Sequence, residues 1–186
     1  MVDAAVSSGE NYKKPNRIAL FANHSPGLKI AEYLSGCAPH DEILALYLTG
    51  QNNENDNSII KAAGVSHDKV FYGPDVLKNK EHHDWLSKQE LDTIICVYWP
   101  WLLQRDIFTL ARKTINFHPA LLPINRGWFP HVHSLIDGSK TGVTLHKIEI
   151  GADTGDIWAQ REVSINATDT AKEIYERLQV EIINLF

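Results

Sequence analysis

Three short apolar runs constrain this chain more than any other feature. "RIALFAN" (Arg17 to Asn23), "EILALYLT" (Glu42 to Thr49) and "TIICVYW" (Thr93 to Trp99) are nearly continuous in Ile, Leu, Val and Ala. A strand with one wet face alternates apolar and polar residues, whereas a strand covered by helices on both faces does not, and strands of the second kind belong to parallel sheets. Candidate helices lie between and after the runs, near Pro26 to Ser35, Asn57 to Ala63, Asp75 to Lys88 and Leu102 to Lys113, most opened by Pro, Asn or Asp where a helix start favours them. Strand and helix in alternation give an α/β class with a Rossmann-like wound, mainly parallel sheet.

From Gly142 the pattern changes. "GVTLHKIE" alternates imperfectly through Val143, Leu145 and Ile148, and "DIWAQREVSI" follows after a glycine-bearing turn, so an antiparallel strand pair appended to the parallel sheet is expected. Thr170 and Glu173 form a capping box, and Ala171, Ile174, Tyr175, Leu178 and Ile182 keep helical spacing beyond it.

With 186 residues, 44% hydrophobic and 22% charged, the chain has the size and balance of one domain, expected over 16–186 with 1–15 as a flexible leader. The leader has no apolar signal core, and no run reaches the ~18 apolar residues of a membrane span, so no membrane partner is expected. A net charge of -5 without a Lys/Arg cluster gives little support to a nucleic-acid partner. Cys37 and Cys96 stand apart in apolar surroundings and are expected to be reduced core residues, which fits the cytoplasm.

Ligands of open α/β sheets gather at the carboxyl ends of the strands. There "NFHPALLPINRG" (Asn116 to Gly127) follows a very short strand, "TIN", and continues as a Pro-rich loop; strand alternation sends the Asn116 and His118 side chains to one side. Further on, "GADTGD" holds Asp153 between Gly151 and Gly155, which let the backbone approach a ligand or take positive φ. A carboxylate beside an imidazole fixes its tautomer and raises its affinity for a proton, so Asn116, His118 and Asp153 are the candidate catalytic groups.

The run "NFHPALLPINRG" followed by "DGSKTGVTLHKIEIGADTGDIWAQREV" resembles the catalytic core of the formyltransferases that use 10-formyltetrahydrofolate. Members share Asn-x-His, then Leu-Leu-Pro, then an Asp in a later turn; the matching positions here are Asn116, His118, Leu121, Leu122, Pro123 and Asp153. Formyl transfer to an amine needs an oxyanion stabiliser and a route for the proton shed by the nitrogen, and the resemblance gives Asn116 the first task. His118 with Asp153 either accepts the proton or polarises the formyl oxygen. The resemblance places the folate co-substrate against Val97, Tyr98, Trp99, Pro100, Trp101 and Leu102, continuing to Gln104, and against the turn of Ala152, Thr154, Gly155 and Asp156. It implies no metal.

The acceptor follows from the same resemblance. The methionyl-tRNA enzymes hold tRNA with an additional C-terminal domain, which an acidic chain stopping soon after the core is not expected to supply, and "ANHSPGLK" lacks the clustered glycines of the glycinamide ribonucleotide enzymes. The segments "NRGWFPHVHSLIDG" and "GVTLHKIEIGADTGDIWAQRE" look most like the members that formylate a dTDP- or UDP-linked deoxy amino sugar, with Arg126, Gly127, Trp128, Phe129 and His131 around the acceptor. A homodimer is compatible with that group. The other readings are phosphoribosylglycinamide or methionyl-tRNA formyltransferase, a formyl-folate hydrolase, and a folate-binding module without catalysis. Other features have ordinary explanations. His131-x-His133 and His146 resemble zinc spacing but lack a third-ligand cluster, His82 and His83 are expected to face solvent on a charged helix, and Trp99 and Trp101 read as core or as ligand wall. "ANHSPG" carries neither a dinucleotide fingerprint nor a Walker pair, so neither NAD nor ATP is expected.

Overall fold

In the computed structural model, which describes residues 14–37, 40–50 and 55–186, the three apolar runs lie side by side as parallel strands. The strands are β1 (Asn16–Ala22), β2 (Asp41–Leu48), β3 (Val70–Tyr72), β4 (Thr93–Val97), β5 (Lys113–His118), β6 (Thr141–Lys147) and β7 (Ile157–Val163). They form one sheet in the order β3-β2-β1-β4-β5-β6-β7. The first five pair in parallel, and β6 and β7 add antiparallel, as the change of pattern at Gly142 leads one to expect. The helices are α1 (His24–Gly36), α2 (Asp56–Ala63), α3 (Lys80–Ser87), α4 (Arg105–Phe108), α5 (Pro130–Asp137) and α6 (Ala171–Leu185).

Burial on both faces explains the continuous apolar runs. Ile18, Leu20 and Ala22 of β1 pack with Ile30, Ile59 and Leu178 from α1, α2 and α6, while Ala19 and Phe21 join Leu86 of α3 and Ile107 of α4 on the other face. On β2 this alternation slips by one residue. Ile18 pairs with Ile43 but Ala19 with Ala45, and the extra residue, Leu44, is taken up as a bulge that puts Leu44 and Ala45 in the same cluster.

Several expectations need correction. The helix expected from Leu102 to Lys113 shrinks to the single turn α4, because the chain must turn back for Lys113 to pair with Thr93 at the start of β4. The Asp75 to Lys88 helix is broken in two: Asp75–Lys78 is a 3-10 turn, and Asn79 stays extended so that its side chain can accept from His82 N at 3.0 Å and cap α3. The short strand "TIN" is six residues long, and the loop after it contains α5, opened by Pro130 at its first turn. Cys37 is exposed instead of buried, whereas Cys96 lies in the core. His82 does not face solvent: its Nε2 lies 2.8 Å from the Tyr47 hydroxyl and its ring packs on Phe71, and burial pushes its proton affinity down. His83 is half-buried, with Nε2 4.0 Å from Asp106. The expected leader falls almost wholly outside the described residues. Among the described residues no helix is long and apolar enough to cross a membrane.

Candidate active site

The winding of the sheet reverses between β1 and β4, so a crevice opens beyond their carboxyl ends. A cavity of about 970 Å³ fills it, and Asn116, His118 and Asp153 are all on its wall. Phe117 points into the α1/α6 core, so the strand's alternation sends Asn116 and His118 to the opposite face. Across the ladder Asn116 pairs with His146, and His118 with Thr144. Asp153 arrives from the β6–β7 turn, where Gly151 (φ 107°) and Asp153 (φ 51°) take left-handed backbone. Gly155 packs so closely under β6 that a Cβ there would overlap the Lys147 carbonyl oxygen.

Three residues distant in sequence thus converge. The Asp153 Oδ1 is 3.5 Å from Asn116 Nδ2, and its Oδ2 is 3.6 Å from His118 Nε2 and accepts from Gly127 N at 2.9 Å. A fourth group completes the cluster. His146 Nε2 lies 3.2 Å from Asn116 Nδ2 and 3.5 Å from Asp153 Oδ1, while its Nδ1 faces the Lys147 carbonyl oxygen at 2.8 Å. That carbonyl takes the Nδ1 hydrogen, leaving Nε2 to accept from Asn116 and hold its amide in one orientation. The sequence reading missed this role for His146. The signal was the alternation of β6, which turns Val143 and Leu145 inward and therefore puts Thr144 and His146 on the face of Asn116 and His118.

Electrostatics in the cluster differ from the simple expectation for an imidazole beside a carboxylate. Burial lowers the His118 proton affinity by more than Asp153 and the Asn125 carbonyl raise it, so its pKa falls below the usual histidine value and the ring is neutral at pH 7. Burial alone would raise the Asp153 carboxyl, but the polar contacts of His146, the neighbouring His118 and the Gly127 N–H outweigh it, and the group is an anion. The His118 Nε2 faces only acceptors, Asp153 and, at 3.5 Å, Asn125 O, which assigns its hydrogen to Nε2 and leaves Nδ1 as the basic lone pair.

The loop after His118 is held by one hydroxyl. Buried Thr144 Oγ1 donates to Ala120 O (2.7 Å) and accepts from Leu122 N (3.1 Å) and Gln160 Nε2 (2.9 Å), which uses its full bonding capacity. Thr144→Val keeps the shape but strands these partners in the core; we expect a loss of about 2–4 kcal/mol. Calorimetry should show this as a melting temperature lower by roughly 5–10 °C.

Of the other residues singled out from sequence, Tyr98, Trp99, Pro100, Trp101, Leu102 and Ala152 line the cavity, as do Gly127, Trp128, Phe129 and His131. Val97 is buried in the α1/α6 core, Gly155 lies under β6, and Thr154, Asp156 and Arg126 are exposed away from the cavity wall. Trp99 and Trp101 serve both expected ends, as core members and as cavity wall. His131 and His133 sit two apart on α5 and diverge, which ends any zinc-like pairing. Among the described residues no group of three or more His, Cys, Asp or Glu could hold a metal.

Residues 46–185 match the family model described as formyl transferase. The chain belongs to the formyl transferase family. Over 66 residues it is 50% identical to the dTDP-4-amino-4,6-dideoxyglucose formyltransferase of Mycobacterium tuberculosis (strain ATCC 25618 / H37Rv), covering 36% of this chain and 28% of that one. It is 33% identical over 131 residues to the methionyl-tRNA formyltransferase of Alkaliphilus metalliredigens, covering 69% and 42%. The matches thus span less than half the length of these curated relatives. The crystal structure of glycinamide ribonucleotide transformylase 1 from Symbiobacterium toebii has the same fold, with a TM-score of 0.77 at 22% identity over 96% of this chain and 88% of that one.

Proposed function

We propose that this formyl transferase moves a formyl group from 10-formyltetrahydrofolate to a primary amine, the amino group of a dTDP- or UDP-linked deoxy amino sugar. The observation that carries the reading is the meeting of Asn116, His118 and Asp153 on the wall of a cavity large enough for two small molecules. The 50% identical stretch shared with an amino-sugar formyltransferase supports the choice of acceptor. The free thiols Cys37 and Cys96 fit a cytoplasmic setting.

The residues present suit a folate. Trp99, Trp101, Leu103 and Phe108 give an apolar wall, with the two tryptophan rings edge to face at 71°, and the buried Trp99 Nε1 has no partner among the described residues, so a donor is left for a ring heteroatom. Bound there, the co-substrate supplies the formyl carbonyl. Asn116 Nδ2 keeps one hydrogen on His146, and its long 3.5 Å contact with Asp153 is the one it can give up to bond the developing oxyanion. Neutral His118 takes the amine proton on Nδ1, Asp153 stabilises the imidazolium that results, and the same ring would return the proton to the nitrogen that departs as its bond to the formyl carbon breaks. Its lowered proton affinity favours the base over the polarising acid.

Supplied with 10-formyltetrahydrofolate and a panel of dTDP- and UDP-amino sugars, glycinamide ribonucleotide and methionyl-tRNA, the chain should release tetrahydrofolate only with a sugar amine. Transfer to another amine, or to none, rejects the assignment. The acid limb of kcat should lie below the ordinary histidine value near 6.5. The sign follows from the depressed pKa: the base is active while neutral and is lost as pH falls through the folded value. Stability runs the same way, because below about 6.5 the unfolded chain binds a proton that the folded one does not.

A further inference from the structure

Asn125 lies in the loop between β5 and α5, and its backbone takes a positive φ of 54°. That region is costly for a residue with a side chain, and Asn is among the residues that bear it best. Its side chain then acts as a clamp. Nδ2 donates one hydrogen to the hydroxyl of buried Ser134 and the other to the hydroxyl of Ser139, each at 2.8 Å, which uses both hydrogens of the amide. Ser134 belongs to α5, and its carbonyl accepts from Gly138 N at the end of that helix. Ser139 lies just past the helix on the way to β6, with its own N–H donated to Asp137 Oδ1 at 2.8 Å. One amide therefore ties the loop after β5 to α5 and to the segment that enters β6.

The same residue meets the base through its main chain. The Asn125 carbonyl oxygen is 3.5 Å from His118 Nε2, beside the 3.6 Å approach of Asp153 Oδ2. Both contacts to the imidazole are long and both clamp bonds are short, so the clamp fixes the residue and the carbonyl contact is what it aims. Contacts of this length are common around catalytic groups and shorten as the reacting complex forms. A carbonyl oxygen can only accept. While it faces Nε2 the ring hydrogen stays there, and Nδ1 remains the lone pair.

We propose that Asn125 is a positioning residue: its amide clamp on Ser134 and Ser139 aims its carbonyl at His118 Nε2 and so couples the seating of α5 to the tautomer and orientation of the base. The role of His118 as base rests on the formyl-transfer reading, whereas the tautomer is a property of the ring that can be measured without any reaction. The groups facing the ring set the sign of the pH effect. Asp153 from the β6–β7 turn and the Asn125 carbonyl raise the proton affinity of His118, His146 of β6 lowers it, and burial outweighs them. Releasing the carbonyl should lower the pKa further and move the acid limb of kcat to lower pH.

Three variants of the full chain test the clamp. Asn125→Gly accepts the positive φ and removes the amide, Ser139→Ala removes one acceptor, and Ser139→Thr keeps it. Nitrogen-15 NMR at neutral pH reads the His118 ring, whose signals are those lost in His118→Ala. A ring held as one tautomer gives two well-separated nitrogen signals, and exchange between tautomers draws them together. Wild type and Ser139→Thr should show the separated pair, Asn125→Gly a pair drawn together, and Ser139→Ala an intermediate one. With 10-formyltetrahydrofolate and dTDP-4-amino-4,6-dideoxyglucose, Asn125→Gly should lose roughly 3- to 10-fold in kcat, the worth of one hydrogen bond, with its acid limb at lower pH than that of wild type. Ring signals and an acid limb that stay as in wild type, even with a raised KM from a loosened loop, overturn the inference and leave formyl transfer standing. If Asn125→Gly does not fold, the contrast between Ala and Thr at position 139 decides. A wild type that formylates no amine overturns the reading of His118 as base, and the ring signals alone then uphold or overturn the clamp.

Discussion

If His118 is the proposed general base, His118→Ala should lose roughly 10²–10⁴-fold in kcat for the proposed formyl transfer, the usual contribution of such a base. The magnitude follows from what the ring does and what replaces it. It is buried at the end of β5, held from Nε2 by Asp153 and the Asn125 carbonyl, and presents Nδ1 as a lone pair that burial keeps unprotonated at neutral pH. Water in the space left by alanine is a far weaker base without a fixed orientation. Asn116→Ala removes the proposed donor to the oxyanion and should cost roughly 10²–10³-fold. The two variants separate by pH dependence. The alanine at 118 loses the acid limb of the kcat profile, whereas the alanine at 116 keeps it, because the titrating group is untouched. Steady-state kinetics between pH 5 and 8, with circular dichroism to confirm the fold, make the comparison; a His118→Ala enzyme with near-normal turnover removes the base from the mechanism.

Residues whose role depends on local periodicity were legible in the sequence, and residues whose role depends on register between distant strands were not. The burial of β1, β2 and β4 on both faces is written in their continuous apolar runs, and the common side of Asn116 and His118 follows from a period of two. Asp153 was singled out by its glycine-bracketed turn and matched by the resemblance, but its approach to His118 could only be inferred from topology, since thirty-odd residues and a strand separate the two. His146 needed the antiparallel pairing that sets it opposite Asn116. Other misses had signals. Pro130 in the first turn and Gly138 just past the last mark α5, but the run of Pro, Gly and aromatic residues before it reads as loop. β3 has three residues and shows no periodicity of its own.

Asp153→Asn tests whether the carboxylate acts by its charge or by its shape. The backbone accepts the change: φ is 51° at this position, in the left-handed region where Asn and Asp are tolerated best. The best hydrogen bond can be rebuilt too. An asparagine oxygen can accept from Gly127 N as the carboxylate does, so we expect stability to change by no more than about 1 kcal/mol. The charge is lost. Nothing then stabilises the imidazolium formed when His118 takes the proton, and kcat should fall by roughly 10²–10⁴-fold with little change in either KM. The pH profile carries the sign. Asp153 raises the proton affinity of His118 against the larger opposing effect of burial, so removing the anion must shift the acid limb of the residual activity further down. A limb that stays in place or moves up means that the carboxylate is electrostatically silent towards His118. Its part would then be to hold Gly127 and the loop in position, and the proton acceptor would have to be sought elsewhere in the cavity.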